Sequence, residues 1–204
     1  KDSMTDAGSL VLDAAFSVDV FTIGSSTYAI VASRGELVDS IYQNDGVQII
    51  DISDPTDIVA KDSMEDTDSL VLDAAMGVDT FTIGDSTYAI VTSHIDDGAQ
   101  IIDISDVDNI VAKDSVTDGD AGGFDELDGA RGVETFIINS VVYAIVTGYD
   151  DDGVQMVDLG NCASSDCVYT EAATTASTAS TGNTCARLVI LGNCGTIAIN
   201  NDEY

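Results

Sequence analysis

Positive charge is the scarcest component of this sequence. Six lysines and arginines face 37 aspartates and glutamates across 204 residues, a formal net charge of −31 at pH 7. A surface that negative repels nucleic-acid phosphates and anionic lipid headgroups alike, which excludes nucleic-acid binding. Long hydrophobic runs are missing as well: no stretch of about eighteen apolar residues occurs, so no transmembrane helix is encoded. The sequence holds no Asn-x-Ser/Thr acceptor for N-glycosylation, no phosphate-cradling glycine loop, no Gly-x-Ser-x-Gly elbow and no His-Glu-x-x-His helix. Its single histidine, His94, occupies a variable loop position with no nucleophile beside it. Together these absences predict that the protein is not an enzyme. The sequence opens on Lys1 rather than Met and reads as processed or excerpted.

What is present is repetition. The run Gly46-Val47-Gln48-Ile49-Ile50-Asp51-Ile52-Ser53 returns from Gly98 to Ser105 and again from Gly153 to Leu159. Apolar residues fall on both alternating faces of each run, the pattern of a strand buried on both sides. Tyr28-Ala29-Ile30-Val31, Tyr88-Ala89-Ile90-Val91 and Tyr143-Ala144-Ile145-Val146 behave in the same way and predict further central strands. Each is preceded by another strand, Val18 to Ile23 in the first copy, through a tight hairpin at Gly24, Gly84 or Asn139, residues that tolerate positive φ. A fourth strand, Ile58 to Ser63 or Ile110 to Ser115, carries Lys and Asp, which suits an outer edge. One loop is longer than its counterparts: the segment from Ala32 to Asp45 holds eight more residues than the one ending at Asp97.

The Lys-Asp-Ser phrase recurs at Lys1, Lys61 and Lys113, so the period is 60 and then 52 residues. Four short strands per period predict an all-β, propeller-like array of about three four-stranded antiparallel blades over residues 1–160, with copies near 1–60, 61–112 and 113–160. Face-to-face stacking accounts for strands that are apolar on both faces, whereas a sandwich would leave one face of each sheet polar. The phrase Gly46 to Pro55, preceded by Tyr-Ala-Ile-Val, resembles LVIVD-type β-propeller repeats. That resemblance implies an acidic secreted or cell-surface protein with an adhesive or structural role.

The first residues, including Asp2, Ser3 and Met4, read as the last strand of a preceding unit, and the third copy lacks that same strand. The two defects are complementary, so this assembly strand is expected to complete the third blade of another copy. Residues 161–204 form a separate C-terminal segment containing all four cysteines, Cys162, Cys167, Cys185 and Cys194, around a Thr/Ser/Ala-rich run. An even number confined to one segment predicts two disulfides in an oxidising compartment, and the spacings do not match a zinc ribbon. The simplest pairing is Cys162 with Cys167 and Cys185 with Cys194, although four cysteines allow three connectivities. The Thr/Ser/Ala run suits an O-glycosylated segment and a plain flexible linker equally.

Carboxylate-rich loops are the only candidates for site chemistry: Asp54 with Asp57, Asp96 with Asp97, Asp106 with Asp108, Asp118 with Asp120, and Asp150, Asp151 and Asp152. Oxygen ligands in loops suit calcium, yet no segment follows an EF-hand, since the twelfth position counted from Asp118 is Gly129. Solvated turn carboxylates are the stronger reading, with weak calcium binding beside it. The aspartate that closes each signature strand, Asp51, Asp103 or Asp158, is expected to cap the following turn. These features point to a structural subunit of an extracellular or cell-surface assembly (a filament, appendage or matrix) whose partner is itself. The alternative is a secreted binding module for a glycan or another matrix protein.

Overall fold

The computed structural model describes residues 1–39 and 41–160, so the four cysteines and the C-terminal segment lie outside the described residues. Regular structure among the described residues is entirely β. Strands β1 (Ala15–Ile23) and β2 (Ser26–Ser33) are followed by a short hairpin, β3 (Glu36–Val38) with β4 (Ile41–Gln43), and then by β5 (Gly46–Asp51) and β6 (Val59–Glu65). The second repeat supplies β7 (Ala75–Ile83), β8 (Ser86–Ser93), β9 (Gly98–Asp103) and β10 (Val111–Thr117). The third supplies β11 (Ala130–Ile138), β12 (Val141–Gly148) and β13 (Gly153–Gly160). They form three antiparallel sheets, ordered β1-β2-β5-β6, β7-β8-β9-β10 and β11-β12-β13. The expected four-strand pattern therefore holds twice. Among the described residues the third sheet has three strands.

Residues with two apolar faces bury both of them because the sheets stack. Phe21, Tyr28, Ile30 and Ile49 of the first sheet pack on Val78, Ala89, Val91 and Ile102 of the second. One step further on, Phe81, Tyr88, Ile90 and Ile101 of the second sheet pack on Ala144, Val146, Val157 and Leu159 of the third. Equivalent positions thus build both seams, each fully buried Ile or Val contributing about 1.5–3 kcal/mol of transfer free energy. Within each sheet one aromatic pair lies across the first two strands: Phe21 on Tyr28, Phe81 on Tyr88 and Phe136 on Tyr143, with ring centroids 5.6, 5.5 and 6.0 Å apart. The hairpin turns carry positive φ at Gly24, Gly84 and Asn139, as their sequence requires.

Two features of the signature run acquire physical reasons. Its leading glycine admits the neighbouring strand: a Cβ on Gly46 would stand 2.0 Å from the Met64 carbonyl oxygen, and one on Gly98 would stand 2.2 Å from that of Val116. Its glutamine repairs a defect in the ladder. The pairing of β5 with β6 shifts register between Gln48 and Ile50, and that of β9 with β10 shifts between Ala112 and Asp114. Buried Gln48 fills the first bulge by donating from Nε2 to the carbonyls of Ile49 (2.9 Å) and Lys61 (3.0 Å), while its Oε1 accepts from Val11 N (3.2 Å). Gln100 repeats this with Ile101 O, Asp114 O and Val71 N at 3.1, 2.7 and 3.1 Å. In the first two sheets one side chain therefore ties the preceding loop to the sheet's third and fourth strands.

The long loop from Ala32 to Asp45 contains the β3–β4 hairpin, paired from Glu36↔Gln43 to Val38↔Ile41. Asp2, Ser3 and Met4 have no ladder partner among the described residues of this chain. Asp2 instead lies against the β5–β6 turn, donating from its N–H to Pro55 O (3.0 Å) and accepting from Ile58 N (3.2 Å).

Candidate functional site

Chemistry concentrates where the loops of adjacent sheets meet. At the first seam four aspartates come from four segments: Asp45 before β5, Asp66 after β6, Asp73 before β7 and Asp96 between β8 and β9. Asp45 is 6% exposed. Its Oδ2 accepts from Ala74 N at 2.8 Å and its carbonyl accepts from Asp66 N at 3.0 Å. Asp96 Oδ2 accepts from Asp73 N (2.9 Å) and from the Ser93 hydroxyl (3.1 Å). These bonds hold Ala74 at φ 55°, the left-handed conformation that turns the chain into β7. The second seam repeats the arrangement. Asp97 Oδ1 accepts from Gly129 N (2.9 Å), Asp151 Oδ2 from Asp128 N (2.8 Å) and Asp118 Oδ1 from Leu127 N (3.2 Å).

So many carboxylates with so little positive charge shift one another. Burial, reinforced by the charges of Asp96, Asp45 and Asp73, pushes the Asp66 carboxyl up to about 6. Burial with Asp45 and Asp96 does the same to Asp73, up to about 6. The neighbouring Asp45 and Asp73 carboxyls also act on each other, Asp45 adding to the rise at Asp73. Asp45 itself is raised, chiefly by burial. Asp66 Oδ1 and Asp73 Oδ1 are both buried without a hydrogen-bond partner. At the second seam Asp128 is raised by desolvation and by Asp97, Asp151 and Asp150. The first seam can therefore take up protons as pH falls through about 6. Among the described residues no group of three or more His, Cys, Asp or Glu is arranged to hold a metal ion.

The remaining loop carboxylates act in turns. Asp54 Oδ1 accepts from Thr56 N (2.9 Å) and the Thr56 hydroxyl (2.6 Å), and Asp57 N closes the same turn on Asp54 O (3.0 Å). Asp106 accepts from Asp108 N (3.1 Å), and Asp108 pairs with Lys61 (3.1 Å). Asp120 accepts from Thr117 N (2.8 Å). Asp150 stands beside Gly129, where a Cβ would meet its carboxylate, and Asp152 adopts φ 53° just before Gly153. The signature aspartates cap the following turn as expected: Asp51 accepts from Ser53 N, Asp103 from Ser105 N and Asp158 from Gly160 N, at 2.9, 3.0 and 2.8 Å. His94 lies in the β8–β9 loop, its N–H donated to Ala74 O (3.3 Å) and its Nδ1 buried without a partner.

Two further contacts cross the seams, and their sequence signal is periodicity rather than any motif. Asp19 on β1 accepts from Thr80 N (2.9 Å) and Thr80 Oγ1 (2.5 Å) on β7, and Asp79 on β7 accepts from Thr135 N on β11. Asp62 on β6 donates to Val107 O (3.1 Å) and accepts from Ile110 N (2.9 Å), the same pair of bonds that Asp2 makes to Pro55 and Ile58.

No family model and no curated protein matches the sequence. Among solved structures the chain is similar to the Bombyx mori GH32 beta-fructofuranosidase BmSUC1, with a TM-score of 0.44 and 11% identity over 71% of this chain and 34% of that one. The chain thus spans about a third of that protein's length. Because this neighbour is an enzyme, the expectation that catalysis is excluded does not stand. A likeness of that size assigns the chain no activity either.

Proposed function

We propose that the three sheets are propeller-type blades and that the chain is a structural subunit of an extracellular assembly, associating head to tail with copies of itself. The observation that carries this reading is the contrast between equivalent residues on successive sheets. Val78 is 6% exposed within a seam, whereas Val18, its counterpart on the first sheet, is 60% exposed. A sheet built to be covered on both faces is here covered on one. Nearly interchangeable seams suit a building block, which needs the same contact many times. The acidic loops and the cysteines of the C-terminal segment suit an oxidising, solvated exterior.

A repeated heterologous contact yields an open filament or a closed ring, and the net charge of −31, which suits a solvated polymer, favours the filament. Sedimentation velocity and negative-stain electron microscopy of the purified chain test this directly. Mass that grows with concentration, and filaments on the grid, are expected. A monomer at every concentration overturns the reading, and a closed pair of copies overturns the filament alone.

A further inference from the structure

Resting on that reading, we infer that the open face of the first sheet receives the third sheet of a second copy, with residues 1–6 completing that sheet as its fourth strand. The far face of each sheet presents an aromatic pair and an isoleucine to the next: Phe21, Tyr28 and Ile23, then Phe81, Tyr88 and Ile83. In the third sheet the same positions hold Phe136, Tyr143 and Ile138, and Ile138 is 50% exposed. Phe16, Val18 and Val20 on β1 stand where β7 has Met76, Val78 and Thr80, and they are 57%, 60% and 54% exposed. The two surfaces are thus the halves of a seam that the chain already makes twice.

The polar contacts extend in the same register. Asp19 and Asp79 each accept a backbone N–H from the next sheet, and the third sheet carries exposed Glu134 at this position. Across the new seam Val20 stands at the position of Thr80 and Thr135 and supplies the corresponding N–H. The N-terminal residues agree. Asp2 makes to the β5–β6 turn the two bonds that Asp62, within a fourth strand, makes to the β9–β10 turn. Residues 1–6 therefore already lie where the fourth strand of a preceding sheet belongs, and the third sheet has three strands among the described residues. Docking would set that strand beside β13, the last described strand of the third sheet, by β-strand addition.

Complementary surface variants of the full chain test the seam. Val18→Asp blocks the receiving face and Ile138→Asp the docking face, and both side chains are at least half exposed in the monomer, so neither change removes core packing. Each variant alone should sediment as a 21.1 kDa monomer, while a one-to-one mixture should give a dimer of twice that mass and nothing larger. Phe16→Glu is a second receiving-face variant should Val18→Asp misfold by circular dichroism. A chain lacking residues 1–6 should lose the association. Variants that assemble as the wild type does, or a mixture that stays monomeric, overturn this seam while leaving the assembly reading intact; a monomeric wild type overturns both.

Discussion

Asp66 and Asp73 reverse the usual relation between carboxylates and folding. Their folded values near 6 lie above the ordinary 3.8, so the folded state binds more protons than the unfolded chain between those values. The stability they contribute is complete below about 3.8 and is lost as pH rises through about 6. An opposing set exists. Hydrogen bonds from Ser53 lower Asp51 and those from Thr56 lower Asp54, while at Asp103 burial is outweighed by Ser105 and Lys113. These groups stabilise above 3.8 and lose that contribution as pH falls below it. The melting temperature should therefore be higher at pH 5 than at pH 7.5. Falling net charge acts in the same direction, so the double variant Asp66→Asn, Asp73→Asn isolates the seam: it should melt higher than wild type at pH 7.5 and show a flatter pH profile. A variant with the wild-type slope would place the effect elsewhere. None of this was legible in runs of adjacent aspartates, since Asp96 and Asp97 are neighbours in sequence but serve different seams, Asp97 turning away at φ 52°.

At the level of strands, the sequence was most readable where burial on two faces wrote it. The predicted Val18 to Ile23 and Ile58 to Ser63 lie within or beside β1 (Ala15–Ile23) and β6 (Val59–Glu65). The β3–β4 hairpin escaped because neither strand is buried: Leu37 and Ile41 are 57% and 66% exposed, leaving no alternation for burial to impose. The signature glutamine was visible but mute, since its partners are backbone carbonyls at a bulge that no side-chain pattern announces. Its role is testable. Gln100→Leu keeps the volume but strands the carbonyls of Ile101 and Asp114 and the N–H of Val71, so it should lower stability by about 3 kcal/mol or more, given roughly 1–3 kcal/mol for each buried group left unpaired. Urea unfolding would measure this, and a loss under about 0.5 kcal/mol would mean that water or a shifted β10 satisfies the bulge.

For the whole molecule, the seams are specified by position within the period and by nothing unique to either one. Phe21, Tyr28 and Ile30 meet Val78, Ala89 and Val91, and Phe81, Tyr88 and Ile90 meet Val133, Ala144 and Val146, so a far face of one sheet should fit the near face of any other. Removing residues 61–112, one full period, would join Ala60 to Lys113 within a hybrid fourth strand and set Asp19 opposite Thr135 and Asp45 opposite Gly129. The shortened chain should fold cooperatively, with a circular dichroism spectrum of unchanged shape; an unfolded or aggregated product would show that the seams are individually fitted. Interchangeable seams also bear on inheritance. Gain or loss of one repeat by unequal recombination would leave every surviving contact in register, so copy number can drift between descendants at little structural cost, and the length of the array becomes a variable that selection can tune separately from its fold.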